Sequence, residues 1–279
     1  MSSRIPPLLE PYVELPPEAS LVLLTSVLGA SSNWLVLRFL YSAMIGSEVS
    51  SEVDSEDEPK VLLVSFMRDL TFWKENARRL GLDLDKLALK KRFAFLDGIG
   101  GLFLPRQSSA LARRGGERVI TKPGLETITR DIQESIEALQ GPQGTGKVLL
   151  VIDQLDLLLA AGGEELGTVQ VEEMLMDLRE NVHATIMTLS ADQPLVSSQQ
   201  TPLEANHSAI LLSTAHQADV IMNLRLLDTG TARDVSGVLR VTAGDRVEED
   251  LDIQERKEDR ELLYLVGGDG GVKIFERGQ

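Results

Sequence analysis

The sequence has no cysteine. Without a thiol there can be no disulfide framework, thiolate zinc site, iron–sulfur cluster or cysteine nucleophile, which leaves only oxygen and nitrogen ligand chemistry. Histidine is scarce too. His183, His207 and His216 are the three copies, and neither their spacing nor their neighbours suggest a metal site or a catalytic triad, so each reads as structural. Positive charge is in deficit, with 28 Lys plus Arg against 43 Asp plus Glu and a net charge of −15. Nucleic-acid-binding proteins usually carry the opposite balance, so such a partner would need a local basic patch. Long apolar runs are missing as well. Trp34 to Gly46 is interrupted by Arg38 and is too short to cross a bilayer. Met1 to Pro17, with five prolines, lacks the charged-then-apolar order of a signal peptide. The expectation is a soluble intracellular protein with no membrane partner, no metal and no cofactor.

What is present is an ordinary globular composition, 43% hydrophobic and 25% charged over 279 residues, enough for a substantial core. Apolar runs of strand length alternate with segments of helical period, the pattern of βαβ units and a mainly parallel sheet of the α/β class. Strands are expected at Leu21–Leu24, Lys60–Phe66, Phe93–Leu96, Val148–Ile152, Thr185–Leu189 and Val220–Leu226. Between them, Leu70, Trp73, Ala77 and Leu80 fall on one helical face, as do Leu125, Ile128, Ile132, Ile136 and Leu139. Helical stretches are also expected at Trp34–Gly46, around Val171 to Val182 and around Ala205 to Gln217. Val238–Thr242, Leu262–Val266 and Val272–Phe275 follow with no helix between them, and Gly267 to Gly271 is strong turn chemistry, so the sheet should end in antiparallel strands.

Residues 1–20 read as an extended Pro-rich arm and 21–279 as one domain. Two acidic stretches interrupt it: an insertion at about 47–59 and a charged loop at about 244–261. Residues 60 to 130 hold fifteen bases against seven acids, a local net of +8, which leaves −23 for the rest of the chain. Phosphate binding depends on the field at one face rather than on the total. The long loop Gly98 to Pro123 carries Arg106, Arg113, Arg114, Arg118 and Lys122 against the single acid Glu117, and these are the candidate nucleic-acid contacts.

Gly141-Pro-Gln-Gly-Thr-Gly-Lys147 fits the start of a phosphate-binding P-loop, but its context is inverted: it follows a helix and enters a strand, and Val148 stands where Ser or Thr would hold Mg²⁺. It reads as a glycine-rich turn. The proper place for a P-loop is after the first strand, where Ser26 and Ser31 occupy the two glycine positions, Ser32 the Lys position and Asn33 the Ser/Thr position. The scaffold is there, but the lysine and the glycines are not. Asp153 closes an apolar strand where a Mg²⁺-holding acid would sit, and Asp69 reads as the N-cap of the helix beginning at Leu70.

This combination resembles a RecA-type core that has lost its nucleotide site. Several stretches are similar, more specifically, to subunit six of the Elongator complex: Val61 to Asn76, Val151 to Leu159, Met222 to Val241, and the ending Leu262–Leu265 with Val272–Phe275. The resemblance spans about Leu21 to Phe275. It implies a RecA-like domain at 21–279 and an accessory subunit in the cytoplasm, with the nucleus as a second compartment. It also implies a hetero-hexameric ring with two sister RecA-like subunits, two copies of each. That ring binds tRNA and supports wobble-uridine modification, while the radical chemistry belongs to another subunit, consistent with a chain lacking cysteine. The family lacks Walker signatures, as the first loop here does. Within the ring, Arg225, Arg233 and Arg240 are candidates for reaching a neighbour. The competing readings are an active recombinase-type ATPase acting on DNA and a scaffold that never touches nucleic acid.

Overall fold

The computed structural model describes residues 4–45, 58–98, 100, 117–120, 122, 124–142, 144, 146–162, 166–228, 230, 232–244 and 259–276. Among the described residues ten strands appear in chain order: β1 (Ser20–Ser26), β2 (Lys60–Ser65), β3 (Phe93–Asp97), β4 (Glu117–Val119), β5 (Val148–Asp153), β6 (Ala184–Ser190), β7 (Val220–Arg225), β8 (Gly237–Ala243), β9 (Arg260–Val266) and β10 (Val272–Glu276). The helices, numbered here in chain order, are α1 (Glu10–Val13), α2 (Asn33–Ile45), α3 (Leu70–Arg79), α4 (Leu84–Leu89), α5 (Leu125–Gln140), α6 (Leu155–Gly162), α7 (Thr168–Glu180) and α8 (Pro202–Gln217), with a π-helical turn at Pro194–Ser198.

One sheet contains all ten strands in the order β10-β9-β8-β7-β1-β6-β5-β2-β3-β4. β7 through β4 in that order are parallel, while β8, β9 and β10 are antiparallel additions at the other edge. The strand residues alternate strictly between two cores, as a period of two requires. Val22, Leu24, Val61, Leu63, Leu149 and Val151 join α1, α2, α3 and α4 on one face. Leu21, Leu23, Leu62, Val64, Leu150 and Ile152 join α5, α6, α7 and α8 on the other. Burial on both faces explains why these strands read as continuous apolar runs.

β1 lies between β6 and β7, so α2 leaves its end on one face while α8 crosses it on the opposite face. The crevice outside the carboxyl ends of β1 and β6 is therefore a topological switch point, the place where ligands bind in open α/β sheets.

Several elements differ from the expectation. The arm is not wholly extended: Glu10–Val13 is helical, and Leu9, Tyr12 and Val13 are buried in the α2 face. β1 runs two residues further than Leu24, so Ser26 is a strand residue paired with Ser190 and Leu224 rather than part of the loop. β4, α4 and α6 are additional elements. α4 is short, and Asp83 caps it by accepting from the Lys86 amide at 3.1 Å. The acidic insertion, except Glu58 and Pro59, and most of the charged loop at 244–261 lie outside the described residues. Among the described residues no helix is long and apolar enough to cross a membrane.

Candidate functional site

Two regions of opposite character lie at the two ends of the parallel strands. The first is the switch-point crevice. Residues 27–32 join β1 to α2 through a tight turn in which the Ala30 amide donates to the Val27 carbonyl at 2.9 Å and Gly29 adopts φ +91°. Only a residue without Cβ takes that backbone readily, and Leu226 packs directly against it. The Leu28 amide donates to Asp192 Oδ1 at 2.9 Å, and the Asn33 amide donates to Ser31 Oγ at 3.3 Å. Three amides of this stretch, those of Leu28, Ala30 and Asn33, are thus already engaged, one of them by a carboxylate whose charge would repel a polyphosphate. Ser32, expected at the position of a P-loop lysine, is 1% exposed, and its hydroxyl has no partner among the described residues.

Asp153 ends β5, separated from β1 by β6. It is fully buried, and its carboxylate accepts from Ser65 Oγ at 2.7 Å and Thr188 Oγ1 at 3.1 Å. Burial pushes its carboxyl up to about 6, against the opposing pull of these two hydroxyl bonds. Gln154, next in the chain, takes the left-handed conformation at φ +56°. It is held there by its amide donating to Thr188 Oγ1 at 2.8 Å and by Ser190 Oγ donating to its side-chain oxygen at 3.2 Å. A polar knot thus ties the ends of β2, β5 and β6, and periodicity could not have shown it, because Ser65, Thr188 and Ser190 are unremarkable strand residues in sequence.

Lys147 is remote from this knot. It precedes β5 at the opposite end of the sheet, six residues from Asp153, or roughly 20 Å along an extended strand. Gly141 and Gly144 take positive φ, as a turn between α5 and β5 requires. Asp69 caps α3 by accepting from the Phe72 amide at 2.8 Å. His183 and His207 bond backbone carbonyls of Pro16 and Ser190, and no group of metal-ligating side chains occurs among the described residues.

The second region is a cleft of about 690 Å³ beside the C-terminal end of α5. Lys60, Lys90, Lys91 and Arg118 line it, against Glu134 and Glu137. Lys60 Nζ donates to the Leu139 carbonyl at 2.8 Å, one of the last carbonyls of α5, while Lys90, Lys91 and Arg118 are exposed. Of the expected nucleic-acid contacts, Arg118 lies in this cleft, Lys122 is exposed before α5, and Arg106, Arg113 and Arg114 lie outside the described residues. Lys60, Lys90 and Lys91 are the additions. They stood in the sequence as part of the basic segment, but only the sheet brings them beside Arg118.

Of the arginines expected to reach a neighbour, Arg225 is committed within the chain. It binds Asp228 at 2.7 Å and Glu261 at 3.1 Å; burial pulls its pKa down, but these two carboxylates outweigh it and leave the pKa raised. Arg233 is exposed between β7 and β8, and Arg240 is exposed on β8 with Asn223 and Glu261 as its cross-strand neighbours.

Comparison with known proteins agrees with this architecture. A KaiC-like protein from the hyperthermophilic archaeon Pyrococcus horikoshii superposes with a TM-score of 0.60 over 98% of this chain and 97% of its own, at 15% identity, which establishes a RecA-type fold. The Elongator complex protein 6 homolog of Schizosaccharomyces pombe is 22% identical over 266 residues, covering 95% of this chain and 94% of that protein. Residues 56–264 match the family described as Elongation complex protein 6, and the chain belongs to that family.

Proposed function

We propose that this chain is a non-catalytic RecA-like subunit of a hetero-hexameric Elongator ring, in which it supports wobble-uridine modification of tRNA by building the ring and contributing to tRNA binding. The observation that carries this reading is the loop after β1: Ser32 is buried where a lysine would reach phosphate, and Asp192 holds the Leu28 amide. ATP would find no lysine point charge there, and the Leu28, Ala30 and Asn33 amides are already engaged. Asp153 by itself supplies a carboxylate but no cradle.

Ring building is supported by the mouth of the same crevice. Leu28 is 86% exposed at its edge and Leu226 is 45% exposed against Gly29, apolar surface that a neighbouring subunit would cover. Contact with tRNA is supported by the cleft of Lys60, Lys90, Lys91 and Arg118, to which Arg106, Arg113, Arg114 and Lys122 would add charge. Arg233 and Arg240 remain the arginines for a ring neighbour, and the cytoplasm, with the nucleus, is the proposed compartment. The test is native mass measurement of the complex recovered on this chain from its own host. The reading expects a hetero-hexamer with two copies of this subunit; recovery as a lone monomer or a homo-hexamer would contradict it.

A further inference from the structure

A cavity of about 340 Å³ opens between α2, α3 and the β9–β10 hairpin, and Gly29 and Ser31 of the loop after β1 form part of its wall. α2 lines it with Trp34, Leu37 and Arg38, and α3 with Phe72, Asn76 and Arg79, each set at helical spacings that share one face. Tyr264 stands across from Trp34, with ring centroids 5.1 Å apart.

Arg38 is the unusual member. It is 2% exposed, yet among the described residues its guanidinium donates only to two neutral carbonyls, Trp34 O at 3.3 Å and Gly270 O at 2.9 Å. Among the described residues no carboxylate pairs with it, and its Nε has no partner. The Trp34 indole N–H, 7% exposed, is also without a partner among the described residues. Burial brings the arginine down to about 10, so it remains a cation at neutral pH. Arginine is almost never fully buried unless paired, and an uncompensated buried charge is among the costliest features a fold can carry. Two orphan donors and a lone buried cation in the wall of one cavity are therefore unexplained by this chain alone. Arg79, exposed at the rim, adds a second guanidinium, and Trp34, Phe72 and Tyr264 supply flat apolar walls.

We propose that this cavity binds a small organic anion, an oxyanion head of the carboxylate or phosphate type carried on a planar ring. The head neutralises Arg38 with help from Arg79, and the ring lies against the aromatic walls, the division of labour usual in small-molecule sites. Entry of the head requires a small rotation of the Arg38 side chain, because its Nε and the Trp34 N–H are closed off from solvent without it.

The test titrates the 279-residue chain with benzoate and with AMP, using benzamide and adenosine as their uncharged counterparts. Intrinsic fluorescence and thermal melting are the readouts. Of the two tryptophans, Trp34 lines the cavity, whereas Trp73 is wholly buried and meets it only through the edge contact of its ring with Phe72, so Trp34 is the main reporter. At least one anion should give a saturable change and a raised melting temperature while its neutral counterpart gives neither, and whichever anion works identifies the head. Arg38→Met should weaken that binding by at least about tenfold while melting at or above the wild-type temperature, since it exchanges an unpaired charge for an apolar chain of similar length. No saturable response to either anion up to about 10 mM, an equal response to the neutral compounds, or unchanged binding by Arg38→Met would overturn the proposal. Should Arg38→Met fail to fold, Arg79→Gln at the exposed rim decides: several-fold weaker binding supports the site, and unchanged binding refutes it.

Discussion

The hydroxyl of Ser65 donates to the carboxylate of Asp153 at 2.7 Å, joining the ends of two adjacent parallel strands in register inside a fully buried knot. In P-loop proteins an acid in this position helps to hold the Mg²⁺ of a phosphate cradled by the loop after the first strand. Instead the carboxylate is consumed by the chain's own hydroxyls, and it becomes part of the protein's stability.

That stability should depend on pH with a definite sign. The folded-state pKa of Asp153 is raised to about 6 from 3.8, so the folded chain binds a proton more tightly than the unfolded one between those values. The stabilisation is full below the unfolded pKa and is lost as pH rises from about 4 through about 6. The amount is on the order of 2–3 kcal/mol. Denaturant melts of wild type and Asp153→Asn across that window should show a decline in the wild type that the variant lacks; parallel profiles would remove Asp153 as the cause.

Exposed Leu28 separates folding from assembly. It is a loop-tip residue, so Leu28→Asp should leave the isolated chain's stability within about 0.5 kcal/mol of wild type. In the reconstituted ring the new charge would be buried against a neighbour, and the yield of hexamer by native mass should fall sharply. A variant that assembles normally would place the ring interface elsewhere.

Charge reversal at Lys90, Lys91 and Arg118 addresses the cleft beside α5. All three side chains are exposed, so folding should survive. tRNA affinity of the assembled ring should fall, and the slope of log affinity against log salt should become shallower by about 0.7–0.9 per lost phosphate contact. If affinity and slope are both unchanged, the cleft is not where RNA lies.

The sheet was legible because its strands are buried on both faces: Val61 to Val64 and Val148 to Ile152 could scarcely be anything else. Helices with a one-sided stripe, such as α5 with Ile128, Ile132 and Ile136, were equally open to reading. α8 begins earlier than its apolar period suggested, because Thr201 and Glu204 form a capping box around Pro202 and extend the helix before any buried residue appears. β4 could not be seen, since Glu117-Arg118-Val119 has no strand pattern of its own and exists through its pairing with β3. At the sites, Ser32 in the loop after the first strand was visible in one dimension. The Asp192–Leu28 bond and the gathering of Lys60, Lys90 and Lys91 beside Arg118 were not, because each joins residues that only the sheet order makes neighbours. Arg38 did leave a trace, as the lone charge in an apolar helix, but its lack of a counter-ion is a property of the packing.

The central claim is that this chain organises a ring without turning over nucleotide. The most direct measurement is Mg²⁺-dependent ATP hydrolysis by the purified chain, beside Lys147→Ala and Asp153→Asn. The account predicts no turnover above background for the wild type and no change in either variant. Robust hydrolysis that is abolished by Lys147→Ala or Asp153→Asn would contradict it.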